Sequence, residues 1–190
     1  MNLKATPNAR ETILAAAKRA AQAHGYGGLN FRDIAEEVGI KAASIYYHFP
    51  SKADLGAAVA RRYWEDTLAD LTSLREANPA PEQCLLRYPE IFRRSLQNGN
   101  RLCLCSFMSA EYDDLPDAVK HEVQTFADVN VAWLSEIVQA SANLSPQERT
   151  IRAQAVFSSV SGAQLLARSR SDISVFDEII KSYQKSGLLS

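Results

Sequence analysis

The sequence predicts an all-α protein of about nine helices: a small N-terminal helix-turn-helix unit followed by a larger helical body. Three observations carry this. Apolar residues recur at spacings of three and four in every segment longer than ten residues, the period of a helix with a buried face. No run alternates apolar and polar residues as a half-buried strand does. Helix-stopping clusters punctuate the chain: Gly25-Tyr26-Gly27-Gly28, Val38-Gly39, Phe49-Pro50-Ser51, Asn78-Pro79-Ala80-Pro81, Gln97-Asn98-Gly99-Asn100, Asp113-Asp114-Leu115-Pro116 and Asn143-Leu144-Ser145-Pro146.

These breaks place helices near 8–24, 31–37, 42–48, 51–77, 81–98, 101–112, 116–141, 146–170 and 172–186. The first carries Ile13, Ala17 and Ala20/Ala21 on one face and stops at Gly25, a residue suited to the left-handed cap. The second opens at Asn30, whose side chain accepts from first-turn amides. Asp33 adds negative charge to that turn, favourable against the helix dipole. Phe31, Ile34, Ala35 and Val38 follow at i, i+3, i+4 and i+7 as a buried stripe. Gly39 supplies a tight turn, and a short third helix turns Ala42, Ile45 and Phe49 inward before Pro50 ends it. Two short amphipathic helices joined at a glycine and packed on a longer one form either a helix-turn-helix or a plain bundle fragment.

Bulk properties narrow the class. The chain has 190 residues, 46% hydrophobic and 23% charged, ordinary for a soluble globular protein. No stretch approaches the roughly 20 apolar residues of a membrane span, and Met1–Pro7 lacks a signal-peptide core. Three cysteines without a disulfide-framework pattern point to a reducing cytoplasm. Net charge is −1, unevenly spread: residues 1–64 carry nine Lys/Arg against five Asp/Glu, residues 65–190 twelve against seventeen. A basic head on an acidic body is the footprint expected of nucleic-acid binding.

The outward face of the third helix sharpens this. Lys41, Ser44, Tyr46, Tyr47 and His48 project away from Ile45 and Phe49, offering hydrogen-bond donors to phosphate oxygens where a solvated face would carry Glu and Lys. The fourth helix begins Ser51-Lys52-Ala53-Asp54, a capping-box variant with Asp in place of Glu, and its free amides can hold a phosphate.

Asn30-Phe31-Arg32-Asp33-Ile34-Ala35-Glu36-Glu37-Val38-Gly39-Ile40 resembles the second helix and turn of the tetracycline-repressor (TetR/AcrR) family. Ser44-Ile45-Tyr46-Tyr47-His48-Phe49-Pro50-Ser51-Lys52-Ala53-Asp54-Leu55 is similar to that family's recognition helix running into helix four. The likeness covers about residues 8–66, with the helix-turn-helix near 30–49. It implies a bacterial transcription regulator that binds double-stranded operator DNA. Residues 67–190 would then form a ligand-binding and dimerisation domain for an unknown small-molecule effector. By this resemblance Ser44, Tyr46, His48 and Lys52 fall at phosphate contacts, and Arg32, Lys41, Ala42, Ala43 and Tyr47 at base edges or thymine methyls. Lys41 and the Ala42-Ala43 pair depart from the family's usual residues and leave few polar atoms for base reading. Arg32 is therefore expected to carry much of it through a guanine contact; alternatively Arg32 pairs with Glu36 and Tyr46 is partly core.

In the body, the seventh and eighth predicted helices are apolar on two faces, which requires cover on two sides. Ser158, Ser159, Gly162, Leu165 and Leu166 are candidates for a homodimer interface, which the resemblance implies is a four-helix one; an intramolecular core is the alternative. Tyr88, Phe92, Phe107, Met108, Tyr112, Phe126 and Trp133, with Asn130 and Gln154 as polar handles, are pocket-lining candidates or plain core. Pro89 predicts a kink in the fifth helix. Cys103 and Cys105, two apart on a predicted helix near Arg101, are either buried thiols or a redox- or electrophile-sensing device, an alternative mode of regulation. The three histidines form no metal-ligand spacing with the cysteines. Without a glycine-rich phosphate loop, nucleophile elbow or paired-carboxylate motif, no metal, cofactor or catalysis is expected, and a helical-bundle enzyme is a remote alternative.

Overall fold

The computed structural model describes residues 8–141 and 144–190. Met1–Pro7, read above for a leader, and Asn143 of the last break lie outside them. The described residues form α1 (Asn8–His24), α2 (Phe31–Val38), α3 (Ala42–His48), α4 (Lys52–Ala77), α5 (Pro81–Arg87), α6 (Pro89–Gln97), α7 (Leu104–Ala110), α8 (Asp117–Ser141), α9 (Pro146–Arg170) and α10 (Ile173–Lys185). A 3-10 turn at Tyr112–Asp114 follows α7. No strand occurs among the described residues.

Two departures from the predicted elements have local causes. The kinked helix 81–98 is two helices. Tyr88 stays helical (φ −48°, ψ −42°), but Pro89 has no N–H to give, and Ile91 N–H bonds to the nearer Tyr88 carbonyl at 3.2 Å. The helix predicted from 101 starts only at Leu104. Arg101 N–H donates to Ser95 O, and Cys103 N–H donates to the Gln164 Oε1 side chain at 2.9 Å. Cys103 therefore precedes the helix, and only Cys105 lies on it.

Two compact units result. The first comprises the chain up to Tyr63 together with Leu104–Gln124. Ile13, Ala17, Ala21, Ile34, Ile45, Phe49, Leu55 and Val59 make its core, α1 packing on α2 and on α7, and α2 on α3. Three contacts tie the later segment into this unit. Tyr26 N–H donates to Glu111 Oε2 at 2.7 Å. Gly56 lies so close to the Tyr26 ring that a Cβ there would come within 2.7 Å of it, and 3.1 Å from Val119. Arg61 pairs with the buried carboxylate of Glu122.

The second unit, Trp64–Cys103 with Thr125–Ser190, is built around Leu71, Leu85, Tyr88, Phe92, Leu134, Ile137, Val138, Val156, Val160 and Phe176. Arg93 of α6 donates twice to Asp177 of α10, at 2.7 and 2.8 Å. Helix α9 opens with a full capping box between Ser145 and Glu148 and packs on α10 and α6. Trp133, Leu134, Ile137 and Val138 of α8 are buried within this chain alone, which leaves Ala127 and Val131 half-exposed. Of the two helices predicted to need cover on two sides, α8 thus finds much of its cover inside the chain, while Leu165 and Leu166 of α9 remain exposed.

Candidate nucleic-acid interface

Local chemistry fixes the position of α3. Asn30 caps α2, its side-chain oxygen accepting from Arg32 N–H at 2.8 Å. Gly39 ends α2 in the left-handed region (φ 74°) with its N–H turned back to Ala35 and Glu36 carbonyls. Lys41 follows at the N-cap of α3 in extended conformation, and having no acceptor it makes no capping bond. Fully buried Ile45 and Phe49 anchor α3, and the remainder of the helix faces out. At the start of α4, Ser51 Oγ accepts from Asp54 N–H at 3.1 Å, while the Asp54 carboxylate accepts the Ser51 hydroxyl at 2.7 Å. Asp is one methylene too short to return to the Ser51 backbone, so this capping box is half formed.

Arg32, Ala42, Tyr46 and Lys52 come together on one groove of about 630 Å³, with Gly27, Leu29, Asn30 and Phe31 as its other walls. Tyr46 is 56% exposed and packs against Phe31 with ring centroids 4.6 Å apart and planes tilted by 56°, so it is a supported surface residue. Tyr47 is 78% exposed, its ring edge-on to half-buried His48. Lys41, Ala43 and Ser44 are exposed. Lys52 is not a free ammonium: it lies 4.7 Å from the Tyr26 ring centroid and donates to Gly27 O at 3.2 Å. Sequence reasoning missed both supports, since Tyr26 lies in a break read only as a helix stop.

The charges of this unit sort into spent and unspent. Arg19 pairs with Glu37, Arg62 with Glu11 and Arg61 with Glu122, while Arg10 and Lys18 sit over the rings of Phe49 and Tyr63. Arg32 and Lys41 have no ion-pair or ring partner among the described residues. Arg32 forms no pair with Glu36.

The pocket candidates divide between the units. Tyr88, Phe92, Phe126, Asn130 and Trp133 cluster in the second: the Tyr88 ring lies 5.5 Å from Phe92 and 5.8 Å from Trp133, stacked on the latter. Tyr88 O–H donates to Asn130 Oδ1 at 2.8 Å, and Asn130 Nδ2 donates to Phe126 O at 2.8 Å. Burial, reinforced by nearby Cys103, holds the Tyr88 phenol well above its usual pKa. Phe157, which sequence reading passed over, joins the Phe92 and Phe126 rings at 6.2 and 6.0 Å. Gln154 is exposed and lies outside this buried cluster, because it falls on the opposite arc of α9. Phe107, Met108 and Tyr112 belong to the first unit. Cys103 and Cys105 are each 1% exposed and fall in different units; a thiol sensor needs an accessible thiolate, which neither offers.

Comparison with known proteins agrees with this geometry. Residues 13–59 match the family model of bacterial regulatory proteins of the tetR family. An HTH-type transcriptional regulator from the lacX 3' region of Lactococcus lactis is 24% identical over 191 residues, 95% of each chain. The crystal structure of a TetR transcriptional regulator from Legionella pneumophila shares 26% identity at a TM-score of 0.88, over 96% of this chain and 99% of that one. A TetR-family regulator from Agrobacterium tumefaciens shares 25% at 0.85, over 93% and 96%. With residues 13–59 matching the tetR-family model and its fold following TetR regulators over more than nine-tenths of its length, the chain is a DNA-binding transcriptional regulator with a tetR-type head and a TetR-like fold.

Proposed function

We propose that the chain is a homodimeric repressor that grips a two-fold symmetric operator and releases it when a small molecule enters the body. The observation that carries the DNA side is the unspent pair Arg32, in the first turn of α2, and Lys41, at the N-cap of α3, in a unit whose other described Lys and Arg side chains have ion-pair or ring partners. Ser44, Tyr46, His48 and Lys52 hold phosphates in this reading and fix the register. Arg32 reads a guanine edge, while Ala42 and Ala43 offer methyl contacts.

Dimerisation rests on α9. At 3.6 residues per turn, Ile151, Gln154, Ala155, Ser158, Gly162, Leu165, Leu166 and Ser169 share an arc of about 120°. All are exposed and none is charged. A Cβ at Gly162 would meet nothing within 4 Å, so the centre of this face is open to close approach. From Ile151 to Ser169 this arc carries no charge and three large apolar residues, with exposed Glu148 one turn earlier at its edge, the composition of an interface with a polar rim and not of a solvated surface. A second copy covers it in this reading, and two-fold symmetry then spaces two α3 helices for one side of a duplex.

In this reading the effector is taken up at the Tyr88–Asn130–Trp133 cluster, where a buried phenol and amide meet aromatic rings, the mixed chemistry of small-molecule sites. Mapping bound DNA across the native genome, then measuring transcripts after deletion of the gene, tests the repressor reading. Transcripts of bound genes should rise; a fall would make the protein an activator.

A further inference from the structure

We propose that Glu111, which belongs to no DNA-contacting element, is a positioning residue for DNA binding that holds Lys52 at the groove through the Gly25–Gly28 loop. The inference rests on Lys52 being a phosphate contact.

The loop needs an external support. Three of its four residues are glycine, and such a segment has no preferred backbone state of its own. Its amides at Gly25 and Gly28 turn back to carbonyls of α1, while Tyr26 N–H is taken by Glu111 Oε2 at 2.7 Å, from 85 residues along the chain. Gly25 is what lets the carboxylate in. It adopts φ +67°, and a Cβ on it would come within 2.4 Å of both Glu111 oxygens. A carboxylate on a backbone N–H is a charge-assisted and hence strong hydrogen bond.

What the carboxylate registers is the seat of an ammonium. Tyr26 puts its ring 4.7 Å from Lys52 Nζ, and Gly27 accepts from that nitrogen at 3.2 Å. Both groups are adjacent in sequence to the amide Glu111 holds. A lysine side chain is otherwise rotamer-rich, and ordering it costs entropy at each binding event. The chain Glu111, Tyr26 amide, Tyr26 ring with Gly27 carbonyl, Lys52 meets that cost before DNA arrives. Lys52 then shares its groove with Arg32 and Tyr46.

The geometry opposes simple electrostatics, which separates the two. Acting only as a negative charge near DNA, Glu111 would repel phosphates, and both Glu111→Ala and Glu111→Gln would tighten binding. As a positioning group, Glu111→Ala weakens binding, whereas Glu111→Gln retains an acceptor oxygen for Tyr26 N–H and preserves it.

The test is the salt dependence of full-length protein binding a mixed-sequence DNA duplex, with folding checked by circular dichroism. Lys52→Ala should flatten the slope by about one unit. Glu111→Ala should do the same and weaken binding up to about ten-fold at 0.1 M salt. In the Lys52→Ala background, Glu111→Ala should change affinity by less than about two-fold, the limit for coupled residues to look uncoupled. Should Glu111→Ala fail to fold, Tyr26→Leu removes the ring beneath the ammonium and should flatten the slope equally. A normal slope in both Glu111→Ala and Tyr26→Leu, with Lys52→Ala flattened, overturns the positioning role alone. A normal slope in Lys52→Ala overturns the phosphate assignment and the inference with it.

Discussion

Replacing Gly162 by Glu should turn a dimer into a folded monomer. Within the chain the substitution is harmless: a Cβ at Gly162 meets no atom within 4 Å, the residue is exposed on α9, and Glu exceeds Gly in helix propensity by roughly 0.5–1 kcal/mol. In a dimer closed over α9 the same side chain is buried beside its two-fold mate. Ile151, Leu165 and Leu166 are 56%, 59% and 46% exposed. Covering what remains of each is worth about 1 kcal/mol, or roughly 6 kcal/mol from both protomers. Association costs an estimated 4–15 kcal/mol, which this stripe offsets only at the low end of that range, so a buried uncompensated carboxylate at several kcal/mol per ion is enough to abolish the dimer. Analytical ultracentrifugation across a concentration series measures the dissociation constant, and thermal melting of the same samples reports on folding. The expected result is monomer at micromolar protein with a melt no worse than that of wild-type monomer. A dimer of unchanged affinity would refute the assignment of α9 as the interface, and an unfolded chain would refute the reading that the Gly162 site is open.

Three further outcomes follow from individual contacts. Tyr88→Phe leaves Asn130 Oδ1 without its donor in a buried site, and urea denaturation should show a loss of about 1–3 kcal/mol. Asp177→Asn breaks the two-point bond to Arg93, whose hydrogen bond holds the Asp177 pKa below its ordinary value. A carboxylate depressed in the folded state contributes stability above its unfolded pKa and loses it as pH falls through the folded one. The two proteins should therefore differ in stability by about 0.5–1 kcal/mol near neutral pH and converge below the usual carboxylate range; a gap that persists in acid would point to packing instead. Lys41→Ser supplies the capping acceptor that α3 lacks. It should stabilise the protein by about 0.5–2 kcal/mol in thermal melts while weakening DNA binding, and unchanged binding would remove Lys41 from the interface.

Short-range chemistry was the legible part. Asn30 and Gly39 announced the ends of α2, and Pro89 announced a disturbance that is sharper than the expected kink, a break between α5 and α6, because caps and missing amides act within a few residues. Every element predicted from periodicity is present, with edges displaced where a distant partner intervenes. Cys103 left its predicted helix because a side chain 61 residues away takes its N–H. Glu111 carried no sequence signal, since the amide it holds lies 85 residues back. The same reach explains why Leu104–Gln124 groups with the first unit, a link that neither periodicity nor the resemblance over residues 8–66 could carry.

Burial on two faces was readable in α8 and α9 alike, but not what supplies the cover. Trp133 and Ile137 are satisfied within the chain, whereas Leu165 and Leu166 stay exposed, and both patterns look the same in one dimension. Gln154, read with Asn130 as a polar handle of the pocket, stands on the exposed arc of α9, and periodicity does not separate it from Asn130.

The most direct test of DNA reading by this head is selection of bound duplexes from random sequence, with wild type and Arg32→Ala side by side. Arg32 is exposed on the groove with no ion-pair partner among the described residues, and a bidentate arginine–guanine contact discriminates by roughly 1–3 kcal/mol. Wild type should enrich an inverted repeat with a guanine at one symmetric pair of positions. Arg32→Ala should keep the repeat, lose that preference and bind non-specific DNA almost as well as before. Identical sequence preferences in the two proteins would contradict the role of Arg32, and the absence of any inverted repeat in the wild-type selection would contradict a two-fold reader altogether.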